Sequence, residues 1–445
     1  MLCLTSCSLT NGKMKDELVF VSDGKGSCVL GEVKGYYQKD VVIPQLSPVG
    51  DKVIGIADEA FCGSNASSIT VPEGVNTVGV RAFAECKNLH SVSLPSTVSE
   101  IGADVLRDCP SLVSISVADA NPVYLSAGNC LIKTDDKVLI AGCKSSIIPM
   151  DGSVCAIGDG AFRGASGLSE MNVPEGIISV GARAFSGCEQ MSVVYLPSTL
   201  MELGEYAFNG CTLLNRVTVP AGVSELPEGV FRNCSSLKRA TLSVGLVTIS
   251  ESAFFGCSKL VEAKIPKTVE YIGDQAFLGC SALWRIDVYP KLQYVGEMAF
   301  AYTGIHNVYG QGSNPIFIVK THCIITKEDG ELIFAGANAK IPADGTVRSI
   351  KAKAFFGTKL AAVTVPDSVE RIGDLAFAYC EALKTVEIAA GVSEMGENVF
   401  YGCDSLKNVN CHAASMPEGW APNWFSGGNI TVWGYVPPPP EESAK

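Results

Sequence analysis

Residues 174–197 read P-E-G-I-I-S-V-G-A-R-A-F-S-G-C-E-Q-M-S-V-V-Y-L-P, and residues 197–220 repeat the design as P-S-T-L-M-E-L-G-E-Y-A-F-N-G-C-T-L-L-N-R-V-T-V-P. Aligned on the aromatic anchor, thirteen copies run through Phe61, Phe83, Leu106, Phe162, Phe185, Phe208, Phe231, Phe254, Phe277, Phe300, Phe355, Phe377 and Phe400, and every step from Phe162 to Phe300 is 23 residues. A fixed period of this length marks a solenoid, in which each unit buries its apolar side only against its neighbours. One continuous stack therefore fits the 445 residues better than a row of globular domains.

Each position of the unit has a physical reading. An aliphatic residue stands five before the anchor in all thirteen copies, counting Met395, and Gly follows it in nine, as expected where the backbone turns sharply. Ala or Val precedes every anchor, which suits tight packing between coils. After the anchor, segments such as Leu214–Val219 alternate inward and outward, the pattern of a short strand with one buried face. Pro often closes it, as at Pro174, Pro197 and Pro220. Each coil is thus expected to give one strand to a parallel sheet, with turns or short helical segments forming the opposite wall.

Eighteen cysteines suggest a disulfide scaffold until they are placed. Nine stand three residues after the anchor, where the other four copies carry Ser64, Ala165, Thr303 and Thr358. That position selects for small, packable side chains. Equivalent residues on stacked coils point in parallel, which holds Cβ atoms wider than the ~3.8 Å of a bridge, so reduced, buried thiols are expected. No paired C-x-x-C sites occur and the four histidines are scattered, so no metal site and no cofactor are expected.

Two segments break the period, 118–149 and 310–346. Both carry an apolar run, a polar turn (Asp135-Asp136; Glu328-Asp329-Gly330) and a second apolar run, and they lie 193 residues apart, as do Phe162 and Phe355. Both read as hairpin-like modified coils within the stack. Residues 18–57 read as capping coils, 58–403 as the repeats, 404–435 as a cap holding Trp420, Trp424 and Trp433, and 436–445 as a disordered Pro-rich tail. In 1–17, Leu4-Thr5-Ser6-Cys7 matches the lipobox that precedes a lipidated cysteine, yet only six residues precede Cys7, too few for a leader. Either the start is trimmed or mis-assigned, with 1–17 a signal remnant and linker, or the match is chance.

A net charge of −12 works against nucleic acid or an anionic membrane as whole-surface partners. Enzyme signatures are absent: no G-x-S-x-G elbow, H-E-x-x-H, Walker loop or G-x-G-x-x-G after a strand. One constellation stands out. Outward strand positions carry Tyr195, Arg216, Arg239, Lys264, Arg285 and Tyr309, with Lys238 and Trp284 one residue before Arg239 and Arg285. Arg and aromatic side chains dominate binding hot spots. A solvated salt-bridge ladder accounts for the same row, since Glu262 lies between Arg239 and Arg285, and surface strands favour Tyr and Thr in any case.

The copies G-x-x-A-F-x-x-C-x-x-L-x-x-V-x-V-P resemble the BspA-type leucine-rich repeat, the class also found in treponemal surface proteins, over about Leu18 to Trp433. The resemblance implies a right-handed stack with a parallel sheet on one face. It also implies a bacterial surface or secreted protein without catalytic residues, of a class in which some members bind host matrix or plasma proteins. The expected partners are extracellular proteins or glycoconjugates, bound by a monomer that meets a membrane only through a lipid anchor at Cys7. The other reading is a structural spacer that holds another region away from the cell surface.

Overall fold

The computed structural model describes residues 4–8, 17–34, 40–425 and 430–437. Two compact units divide the chain, Met1–Gly245 and Leu246–Lys445. Within each, coils stack along parallel strands in two sets, because every coil contributes two strands and not one. The longer strand follows the anchor: Val193–Tyr195, Arg216–Val219 and Arg239–Leu242 in the first unit, Ala362–Val365, Thr385–Ile388 and Asn408–Cys411 in the second. A two-residue strand precedes the anchor, as in Ser179–Val180 paired with Glu202–Leu203, or Arg371–Ile372 paired with Glu394–Met395.

The turn wall contains no helix among the described residues, which corrects the expectation of short helical segments. Its backbone explains why. In all thirteen coils the residue two before the anchor and the residue two after it have positive φ, for example Arg183 at 54° and Gly187 at 76° around Phe185. Left-handed residues four apart interrupt any run of right-handed turns. The N–H groups of Arg183, Phe185 and Gly187 donate instead to the carbonyls of Glu205, Ala207 and Asn209 in the next coil, at 2.8, 2.7 and 2.8 Å. Those of Ser186 and Cys188 donate within their own turn, to Arg183 and Phe185. The main chain is thus satisfied with neither helix nor regular strand.

The same stacking explains the glycine four before the anchor. It needs no unusual φ; a Cβ on Gly204 would lie 2.3 Å from the Ala182 nitrogen of the preceding coil. At Gly204 close approach of two backbones, and not a sharp turn, leaves no room for a side chain. Inside, the anchors stack: Phe162, Phe185, Phe208 and Phe231 have successive centroids 5.0, 5.2 and 5.5 Å apart, and Phe355, Phe377 and Phe400 follow at 4.5 and 5.3 Å. Sixteen cysteines among the described residues, from Cys28 to Cys411, are free thiols. Cys188, Cys211 and Cys234 each place Sγ 3.2 Å from the anchor carbonyl of the preceding coil.

Both breaks are three-stranded meanders, one strand more than a hairpin. Tyr124–Ala127, Cys130–Lys133 and Val138–Ala141 pair antiparallel, and the last then pairs parallel with Ala156–Ile157, returning the chain to the stack. Phe317–Lys320, Cys323–Thr326 and Glu331–Ala335 do the same before Ser349–Ile350. The segment expected as capping coils opens with an antiparallel pair, Glu17–Ser22 and Ser27–Lys34, flanked by Leu4–Ser8, the strand that holds Cys7. At the other end Trp420 and Trp424 are buried, and the carbonyls of Asn423 and Trp424 accept the N–H groups of Asn398 and Val399. These two bonds end the inter-coil ladder. Residues 438–445 of the expected tail lie outside the described residues.

Candidate functional site

Strand alternation places the outward row as its period of two requires: Val217, Val219, Ala240 and Leu242 face the core, while Arg216, Thr218, Arg239 and Thr241 face out. In the first unit Arg216 and Arg239 are direct neighbours in parallel register, with Thr218 opposite Thr241. Like charges directly opposite oppose sheet pairing. Lys238 is exposed just before Arg239, and its N–H donates to Asn215 at 2.8 Å. Tyr195 is 54% exposed on the neighbouring strand, where it pairs with Asn172.

In the second unit the predicted residues are held by acidic and aromatic neighbours. Lys264 Nζ lies 3.2 Å from Glu262 Oε1. Arg285 places Nη2 2.7 Å from Asp287 Oδ1 and its guanidinium carbon 4.5 Å from the centre of the Tyr309 ring. The hydrogen bond to Asp287 is the main cause that raises the Arg285 pKa above its ordinary value. Gln311 Nε2 donates to the same Asp287 oxygen at 2.7 Å, and Asp287 pairs across the ladder with Tyr309. Trp284 is 48% exposed, and its carbonyl accepts the N–H of His306. Arg285, Asp287 and Tyr309 therefore form one preorganised cluster, and Trp284 precedes Arg285 in the chain.

The chemistry available here is recognition by stacking, directed donors and charge. Among the described residues no group of three His, Cys, Asp or Glu side chains is placed to hold a metal ion. The Cys211 and Cys323 thiols are poorly suited to nucleophilic work, since burial pushes them up to about 12. Sequence reasoning missed a groove beside the first break, where Ile147 and Met150 are 75% and 79% exposed and Tyr195 forms part of the wall. The signal was available: the equivalent positions of the second break, 193 residues on, are Lys340 and Ala343.

The profile of the BspA type leucine rich repeat region matches residues 49–126, 140–243, 214–318 and 334–418, in six copies. No curated protein sequence matches the chain. Among solved structures, a leucine-rich repeat protein from Bacteroides ovatus is 22% identical with a TM-score of 0.54, covering 97% of this chain and 98% of its own. A leucine rich cell surface protein from Faecalibacterium prausnitzii is 23% identical with a TM-score of 0.44, covering 95% and 86%. The leucine rich repeat protein of T. pallidum is 21% identical with a TM-score of 0.28, covering 63% and 94%. At these identities it is the fold that the first of them shares with this chain.

Proposed function

Because the chain belongs to the BspA-type leucine-rich repeat family, we propose that it is a non-enzymatic cell-surface or secreted protein that binds extracellular proteins or glycoconjugates through its outward strand face. The observation that carries this reading is the register of Arg216 beside Arg239. Two guanidinium side chains in register on a rigid ladder offer directed donors to an acidic ligand, and the ladder presents them without ordering cost at binding. Coils that stack rigidly present a long surface of this kind, with a few Arg and aromatic anchors among many modest contacts. Cys7, as a lipidation site, would supply the anchor.

The test is binding of the full chain to a panel of matrix and plasma proteins, mucins and glycans at two salt concentrations. The expected result is saturable binding that weakens with salt and is lost on combined replacement of Arg216, Arg239, Trp284 and Arg285 by Ala. A specific observation favours the spacer reading instead: Lys264 and Arg285 are each paired with a carboxylate two residues away in the chain. No binding across the panel, or binding indifferent to the four substitutions, decides for the spacer.

A further inference from the structure

The first break leaves a rung missing from the strand face. On the turn wall the coils of Leu106 and Phe162 are immediate neighbours: the Asp108 N–H donates to the Arg163 carbonyl at 3.0 Å, and Arg163 Nη1 reaches Asp104 Oδ2 at 3.1 Å. On the strand face they do not meet. Glu170–Asn172 pairs with Val193–Tyr195 on one side and carries no strand on the other among the described residues. The linking segment, residues 144–150, crosses this space without strand pairing; Ser145 holds it by donating Oγ to the Val113 carbonyl at 2.5 Å. A groove of about 660 Å³ remains.

The open edge has a defined polarity. The Val173 N–H donates to the Tyr195 carbonyl, so the odd-numbered residues turn their main-chain groups inward along the ladder. In a parallel ladder the alternate residues turn theirs the other way. Glu170 and Asn172 therefore aim N–H and C=O at the groove. An extended polypeptide supplies the matching alternation of acceptors and donors at a two-residue repeat, and a sugar or a flat small molecule does not. Exposed Ile147 and Met150 flank this edge together with Tyr195.

The second break serves as an internal control. There the N–H groups of Ala337 and Asn338 donate to the carbonyls of Ile305 and His306, closing the linking segment onto the preceding coil. Gly336 permits that closure, since a Cβ on it would lie 2.7 Å from the His306 carbonyl oxygen. In the first break Cys143 occupies the equivalent position, and Ile147 and Met150 stand where the second has Lys340 and Ala343. The strand edge at Ala362–Val365 carries no further strand among the described residues either, so it is the apolar lining at Ile147 and Met150, combined with an open edge, that sets the first break apart.

We propose that the first break is a peptide-binding groove, in which an extended segment of a partner protein adds as a strand to the Glu170–Asn172 edge and seats alternate apolar side chains on Ile147, Met150 and Tyr195. This site shares Tyr195 with the outward row but none of its Arg residues, so the variants below test the two independently. The test selects a phage-displayed library of linear heptapeptides on the full chain and maps the enriched peptides by amide hydrogen exchange. Enriched sequences should alternate apolar residues and slow exchange at the Glu170 and Asn172 amides by tenfold or more. Binding should fall at least tenfold when alternate peptide nitrogens are methylated, and likewise in the variant I147K/M150A, which copies the second break. R216A/R239A should leave it unchanged. No enrichment, protection located elsewhere, or equal binding by the N-methylated peptides would overturn the proposal.

Discussion

Sγ of Cys211 lies 3.2 Å from the carbonyl oxygen of Phe185, one coil earlier, and that same carbonyl already accepts the N–H of Cys188. The thiol gives the carbonyl a second, weak donor while filling a space sized for a small side chain. Burial holds its pKa at about 12, so it is neutral at any physiological pH. Two outcomes are expected. Iodoacetamide at pH 8 should modify the half-buried Cys62 and Cys155 in the native protein, while Cys211 reacts only as the chain unfolds. Cys211→Ala should cost about 1 kcal/mol, the scale of a small buried group with a weak hydrogen bond. Peptide mass spectrometry and denaturant titration read these, and native labelling of Cys211 at the rate of Cys62 would contradict the account.

Two glycines of the repeat are constrained for different reasons, and substitution separates them. Gly204 has an ordinary φ but its Cβ would meet main-chain atoms of Gly181 and Ala182 at 2.4 and 2.3 Å. Relief requires a coil to move, so Gly204→Ala should cost more than about 2 kcal/mol. Gly187 has φ of 76° and nothing closer than 3.6 Å to its missing Cβ. Gly187→Ala should cost only the left-handed penalty, about 1–2 kcal/mol, and Gly187→Asn less, as Asn233 occupies the same position with φ of 59°. The order of the three urea midpoints is the measurement.

The period, the anchors and the reduced cysteines were legible because each recurs in every coil or nearly so, and repetition averages out local noise. The turn wall was misread for a specific reason. Of its two left-handed positions, the one after the anchor is Gly in eight coils of thirteen and carries a signal. The one before the anchor holds residues as different as Arg183, Tyr206, Gln275 and Leu375. Their conformation is imposed by the inter-coil hydrogen bonds and not by their side chains, so composition does not reveal it. The two-residue second strands are too short to show a period. At the candidate site, the exposure of Arg216 and Tyr195 followed from alternation, and Asp287 stands two residues from Arg285 in plain sight. The edge of the groove arises from main-chain groups left without a neighbour, which no side-chain pattern encodes, and only apolar Ile147 and Met150 in place of Lys340 and Ala343 marked it in the sequence.

Carboxylates stitch successive coils just past two of the long strands, and acid should loosen them. Glu175 accepts the Ser198 N–H at 3.0 Å and its hydroxyl at 2.9 Å, and Glu73 treats Ser96 the same way. The backbone hydrogen bond is the largest cause that lowers each pKa, followed by the serine hydroxyl. A carboxyl depressed in the folded state contributes stability that is fully present above its unfolded value, about 4.3, and lost as pH falls through the folded value. Between pH 7 and pH 3 the double variant E73Q/E175Q should therefore lose less stability than the parent. Parallel midpoint-versus-pH curves for the two proteins would show that these contacts are solvated and neutral in effect.

Asn121 and Asn314 enter the two breaks in the same way, and both are buried. Asn121 Nδ2 donates to the carbonyls of Pro95 and Val98, each at 2.9 Å, and its Oδ1 accepts the N–H groups of Val123 and Tyr124 at 2.9 and 2.8 Å. Asn314 repeats all four bonds, to Tyr289, Leu292, Ile316 and Phe317. The amide thus fills the place where the repeat stops and the meander begins, pairing main-chain groups that the missing coil would have used. Asn121→Ala leaves two buried carbonyls and two N–H groups short of a partner, and each such loss costs about 1–3 kcal/mol. A combined cost of 3 kcal/mol or more is expected, with Asn121→Asp nearly as damaging because a carboxylate has no donor for Pro95 and Val98. Asn314→Ala should match it within about 1 kcal/mol. If the damage is local, hydrogen exchange will quicken first across Tyr124–Ala127, and a uniform rise along the unit would instead mean that the break folds as one with its neighbours.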